Sequence, residues 1–96
     1  MQFIITAHDG KGMLEKRMAV RPRHLEGMQK LAKHIICAGG LLDEEGKMKG
    51  SVLVMEFADR AELDAYLASE PYLLEKVWEK VEVEVMNVVI VKGEKI

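Results

Sequence analysis

The sequence predicts an α+β fold whose elements follow in the order strand, helix, strand, strand, helix, strand. Three observations carry this reading. Runs rich in apolar and β-branched residues occupy positions 3–7, 51–57 and 81–91; apolar residues recur at three- and four-residue spacing from 25 to 36; and a second, shorter helical pattern after Asp59 is broken by Ser69, Glu70 and Pro71.

Residues 3–7 are apolar on both alternating faces, as in a strand covered from two sides, and His8, Asp9 and Gly10 end the run. A loop holding Gly10 and Gly12 follows. The first helix is expected to open near Pro22, whose fixed φ suits a first turn. Its buried stripe reads Leu25, Met28, Leu31, Ala32, Ile35 and Ile36, and Gly39 and Gly40 stop it. Cys37, late in that pattern, reads as a packed thiol; as the sole cysteine it forms no intrachain disulfide. Leu41 and Leu42 open the second strand, 43–50 is a polar hairpin turn, and 51–57 is the third strand. Asp59 is placed to N-cap the second helix, whose Leu63, Tyr66 and Leu67 face inward. A further helical turn or two is expected from Tyr72 to about Lys80. In the last strand Val81, Val83 and Val85 alternate with Glu82 and Glu84, after which Val88, Val89, Ile90 and Val91 are apolar on both faces.

This order is the split βαβ, or ferredoxin-like, arrangement, with residues 1–96 forming one domain and two helices covering one face of a four-stranded antiparallel sheet. The alternate positions of the first, third and fourth strands are also apolar. Ile4, Leu53, Met55, Val88 and Ile90 are assigned to the second face, and such a face is not left open to water. The economical cover is another copy of the chain, packed sheet against sheet about a two-fold axis to make a dimeric α/β barrel. A homodimer is therefore the expected assembly, and at 96 residues the added burial helps a small core.

Composition narrows the partners. Hydrophobic residues are 49% of the chain and charged residues 31%, which is the balance of an ordinary globular domain. Fourteen Lys and Arg against 16 Asp and Glu leave a formal charge of -2, so no cationic field is available for nucleic acid or an anionic membrane. The first residues lack a basic region followed by an apolar core, and no apolar run has membrane-spanning length, so a cytoplasmic location is expected. There is no phosphate loop, dinucleotide fingerprint or cysteine pair, and no cofactor is expected. His24 and His34, if on one helix, stand about 15 Å apart along its axis, too far to share a metal ion.

Chemistry is concentrated in the run Arg21, Pro22, Arg23, His24, Leu25. Histidine exchanges protons near neutral pH, and His24 lies four residues before Met28 and seven before Leu31, so the register turns it toward the sheet. A carboxylate that fixes its tautomer makes such a ring a useful acid or base, and Asp9 and Glu70 are the two candidates. Glu70 precedes Pro71, which favours an extended backbone and lets the side chain turn inward at the end of the second helix. Arg17 and Arg21, four residues apart, offer planar forks for an anionic group of a small substrate. Ser51, at the start of the third strand, can donate a hydrogen bond to the substrate or to the histidine–acid pair. Two functions fit: an enzyme transferring protons on a small anionic molecule, and a non-catalytic ligand-binding or accessory module of the same fold.

Several segments together resemble a known family. Leu14, Glu15, Lys16 and Arg17; Arg21 to Leu25; Gly39 and Gly40; Gly50 and Ser51; Glu56 and Phe57; and Glu70, Pro71 and Tyr72 are similar, in order and spacing, to the YciI-like (YCII-related) proteins across nearly the whole chain. The resemblance implies a dimeric ferredoxin-like α/β barrel with a pocket around a histidine–acid dyad. His24 matches the family histidine. The acid of the family's aspartate-proline-aromatic motif falls on Glu70 with Pro71 and Tyr72, a departure that lengthens the acid by one methylene. Relatives implied by the resemblance include a dehydrochlorinase acting on a chlorinated hydroxyhydroquinone, and muconolactone isomerases and small monooxygenases in the wider group. Proton transfer of lyase or isomerase type is the activity so implied.

Overall fold

Strand β1 (Gln2–Asp9) is the spine of the sheet. It pairs antiparallel with β3 (Met48–Glu56) on one side and with β4 (Trp78–Met86) on the other, and β2 (Ile35–Leu42) flanks β3, giving the order β2-β3-β1-β4. The computed structural model describes residues 1–96. Helices α1 (Leu14–Lys30), α2 (Arg60–Leu67) and the single-turn α3 (Pro71–Leu74) complete the domain, and a small hairpin of β5 (Ile90–Val91) and β6 (Glu94–Lys95) follows β4. The fold is the ferredoxin-like α+β arrangement expected from the element order. No helix is long and apolar enough to cross a membrane.

Register decides which residues enter the core. Phe3, Ile5 and Ala7 stand opposite Met55, Leu53 and Ser51 of β3 and opposite Val85, Val83 and Val81 of β4. The first three are fully buried and cluster with Leu53 and Met55, with Val20 and Met28 of α1, with Leu63 and Tyr66 of α2, and with Tyr72, Val77 and Trp78. Each such large apolar side chain contributes roughly 1.5–3 kcal/mol of burial free energy. Leu53 and Met55 therefore face the helices, not the second face to which the sequence pattern assigned them. The open face instead presents Ile4 and Thr6 beside Val54 and Val52, with Glu84 and Glu82 on the β4 side. Period-two alternation fixes which residues share a face but not which face meets the helices.

The first helix starts and stops earlier than its pattern suggests. It begins at Leu14, so Pro22 lies in its interior and His24 stands mid-helix, not in an opening turn. Pro22 forgoes one hydrogen bond, to the carbonyl of Met18, a residue that is itself exposed and accessible to water. The buried stripe is Arg17, Val20, His24 and Met28, while Leu25 is exposed. After Lys30 a single turn at Ala32–His34 leads into β2, so Ile35, Ile36 and Cys37 are strand residues and Gly39 and Gly40 lie within that strand. The apolar spacing of 35 and 36 fits a helix or a strand equally, and pairing with β3 makes them strand residues. Cys37 is exposed, not packed.

The remaining elements are closer to expectation. Asp43 closes the hairpin by accepting the Glu45 and Lys47 N–H groups, and β3 begins at Met48, inside the expected turn. Asp59 caps α2 by accepting the Glu62 N–H at 2.9 Å. Helix α3 ends at Leu74, and Lys76, at φ 60°, reverses the chain so that β4 starts at Trp78, where more helix was expected. Strand β4 ends at Met86, and Ile90 and Val91 belong to the terminal hairpin. Gly50 is required by close approach: a Cβ there would lie 2.4 Å from the Ala7 carbonyl oxygen in the neighbouring strand.

Candidate active site

The site lies where the buried stripe of α1 meets the start of α3. Pro71 at the first position of α3 holds Glu70 extended at its N-cap, and Glu70 Oε1 accepts the Tyr72 N–H at 3.2 Å. The same oxygen lies 2.6 Å from His24 Nδ1, and Oε2 accepts the Tyr66 hydroxyl at 2.6 Å. Glu70 is 1% exposed, so these donors, not water, solvate its carboxylate. With Nδ1–H donating to Glu70, the ring's Nε2 is left as the free nitrogen. The imidazole stacks on Tyr72, with centroids 4.2 Å apart and planes inclined 24°, and its other neighbour is the Trp78 ring, edge-on at 6.2 Å.

A second cluster adjoins the first. Arg17 Nη1 donates to both oxygens of Asp9, at 2.9 and 3.1 Å, and Nη2 donates to Ser51 Oγ at 2.7 Å. The Arg17 guanidinium also sits 4.6 Å from the Tyr72 ring centroid, and its Nε is buried without a partner. Burial pushes the Asp9 carboxyl above its ordinary range, with the Arg17 charge and hydrogen bonds opposing the shift. Arg17 is thus committed to the protein, whereas Arg21, one turn further along α1, has no acidic partner.

Between α1 and β2 these residues enclose a cavity of about 220 Å³, lined on its polar side by Arg17, Arg21, His24, Ser51 and Tyr72 and elsewhere by apolar groups that include Leu25 and Met28. Its floor is open because β2 is nearly bare there: Ala38 and Gly40 stand opposite Leu53 and Ser51 on the helix-facing side and offer little or no side chain. Burial raises the Tyr72 phenol above its ordinary range, while the nearby arginines oppose the shift, so its hydroxyl stays protonated and makes no hydrogen bond within the protein. The unpaired Arg21 cation and three hydroxyl or imidazole groups around an apolar slot suit a small anion. No three His, Cys, Asp or Glu side chains are grouped as metal ligands.

Residues 1–87 match the YCII-related domain, and "Protein YciI" of Escherichia coli is 30% identical over 92 residues, covering 88% of this chain and 94% of its own length. The chain belongs to the YCII-related family. Among solved structures, this YCII-related protein is similar to the 5-chloro-2-hydroxyhydroquinone dehydrochlorinase of Burkholderia phenoliruptrix in complex with 2,5-dihydroxybenzoquinone. That likeness has a TM-score of 0.85 and 25% identity, and covers 91% of this chain and 94% of the other. It is also 25% identical over 87 residues to the aspercryptin biosynthesis cluster protein B of Emericella nidulans. There the match covers 81% of this chain but only 56% of a longer protein.

Of the residues singled out in the sequence, the fold brings His24, Glu70 and Tyr72 into one contact set and Asp9, Arg17 and Ser51 into the next, with Arg21 on the cavity wall. Of the two acids, Glu70 contacts His24; Asp9 is taken by Arg17. Tyr66 was read only as an inward-facing helix residue, although its place four residues before Glu70 puts the two within reach across the end of α2. The bare stretch of β2 was read as a helix stop, when its lack of side chains is what leaves room for the cavity.

Proposed function

We propose that this cavity is a proton-transfer site of lyase or isomerase type acting on a small anionic molecule, in the manner the dehydrochlorinase neighbour suggests. The observation that carries the reading is the 2.6 Å contact of His24 Nδ1 with a buried carboxylate, on a ring that lines an open cavity. A fixed Nδ1–H leaves Nε2 as the base, and a carboxylate behind the ring stabilises the imidazolium as it forms. Nε2 takes a proton from the substrate, and the electron pair left behind forms a new double bond. In an elimination a leaving group such as chloride departs with its bonding pair; in an isomerisation the imidazolium returns the proton to another carbon.

The remaining groups divide the other tasks. Arg21, unpaired in the protein, binds the substrate's anionic group. Ser51 accepts from Arg17, which polarises its own O–H toward an oxygen on the substrate, and the Tyr72 hydroxyl is a second donor. A non-catalytic binding module fits less well, because it gives no reason to bury a carboxylate against the histidine. The same reading includes a homodimer built through the open sheet face.

The test is turnover and binding across small halogenated or enolisable hydroxyquinols and related acids. His24→Ala is expected to lose roughly 10²–10⁴ in rate while keeping its fold. Arg21→Gln is expected to raise KM with the fold intact. A folded His24→Ala protein that matches the wild type in turnover and ligand binding would sink the reading.

A further inference from the structure

We propose that Tyr66 is a positioning residue of the His24–Glu70 pair, holding the carboxylate by Oε2 so that Oε1 is fixed toward His24 Nδ1. For its catalytic consequence this rests on the proton-transfer reading above.

Glu70 stands at the N-cap of α3. Glutamate is not among the residues favoured at a helix N-cap, where Ser, Thr, Asp and Asn place an oxygen over the first N–H groups with a shorter side chain. Its extra methylene adds a torsion, and the Tyr72 N–H at 3.2 Å is a long contact that does not fix it alone. The side chain is 0% exposed, so no bulk water completes the shell of an oxygen left without a donor. Tyr66 supplies that donor. At 2.6 Å it is as short as the histidine contact, and each oxygen then has one strong partner.

The tyrosine is itself immobilised. Tyr66 is 6% exposed, belongs to the core cluster, and stacks on Phe57 with centroids 6.2 Å apart. Burial and the Glu70 carboxylate push its phenol far above the ordinary range, so it is a donor at neutral pH. The long acid and the tyrosine four residues before it thus form one unit: shortening Glu70 to aspartate withdraws the carboxylate from Tyr66 as well as from His24.

The experiment reads the ring directly and needs no substrate. In ¹⁵N-histidine-labelled protein, the His24 Nδ1 proton is expected as a downfield, slowly exchanging resonance, assigned by its loss in His24→Gln. In Tyr66→Phe, its exchange with water is expected to rise about tenfold or more. In a Glu70→Asp background, adding Tyr66→Phe is expected to change nothing further. An unaltered Nδ1 exchange rate in folded Tyr66→Phe overturns the proposal, as does a full additive effect in the double variant, which would mean that Tyr66 acts only by packing. Should Tyr66→Phe not fold, the wild-type protein decides the matter: the Tyr66 hydroxyl proton is expected as a second slow downfield resonance that disappears in Glu70→Gln, and its absence from the wild type overturns the proposal equally. A protein without turnover can still show this coupling, and one with turnover can lack it, so the two readings fail separately.

Discussion

Arg17 Nη1 lies 2.9 Å from Asp9 Oδ1, and the two side chains are only 4% and 5% exposed, so this ion pair between α1 and the end of β1 is almost entirely withdrawn from water. A pair in such a place adds little net stability, because desolvation offsets most of the attraction, yet removing one partner strands the other charge. Asp9→Ala is therefore expected to lower the unfolding free energy by about 3–5 kcal/mol, and adding Arg17→Met is expected to restore most of it. Denaturant midpoints at constant m-value measure both. A single variant within ~1 kcal/mol of wild type would show that water reaches Arg17 freely.

Alkaline pH offers a test through the two tyrosines, the only ones in the chain. Burial and the Glu70 carboxylate raise Tyr66, and burial raises Tyr72, above the ordinary value of 10.0. The folded state then holds protons that the unfolded chain releases, so stability is level below about pH 9 and falls as pH rises through 10, by up to roughly 1.4 kcal/mol per pH unit for each tyrosine. Tyrosinate absorbance is expected to appear together with the loss of far-ultraviolet circular dichroism and not before it. Tyr66→Phe is expected to reduce the slope. Absorbance rising by half its full amplitude near pH 10 while the dichroism remains native would contradict the assignment.

What the sequence made legible, and what it hid, follows one physical line. Element order, the Asp59 cap and the inward turn of His24 were readable, because each depends on local spacing or on one residue's short reach. The start of α1 was hidden because Met13 provides no side-chain cap and Pro22 imitates a first turn. The fate of 35–40 was hidden because a short apolar run ending in two glycines reads as a helix and its stop. Its pairing with β3, a long-range contact, is what makes it a strand. At the site, His24 was found through its helical register and Glu70 through its place before Pro71, with the family pattern pointing the same way, but the choice between Asp9 and Glu70 needed three dimensions. So did Tyr66, which looked like any other core position until its hydroxyl was seen to point at a carboxylate.

The faces of β3 give the sharpest test of assembly, because Leu53 and Val54 are adjacent and point opposite ways. Leu53 packs beneath the helices opposite Ile5, while Val54 lies on the open face opposite Ile4 and beside Cys37 of β2. If a second copy covers that open face, Val54→Lys places a charge in the contact between sheets, at a position that lies outside the core cluster beneath the helices. Sedimentation is expected to show a dimer for the wild type and, for Val54→Lys, a dimer weakened in affinity by roughly thirtyfold or more, the loss of about 2 kcal/mol typical of a central contact. Leu53→Lys is expected to unfold the monomer instead, since it buries an unpaired charge among Phe3, Ile5 and Tyr72. A wild-type chain that sediments as a monomer at all concentrations, or a Val54→Lys chain as dimeric as its parent, would remove the sheet-to-sheet dimer. The contrast between neighbouring residues separates loss of assembly from loss of fold.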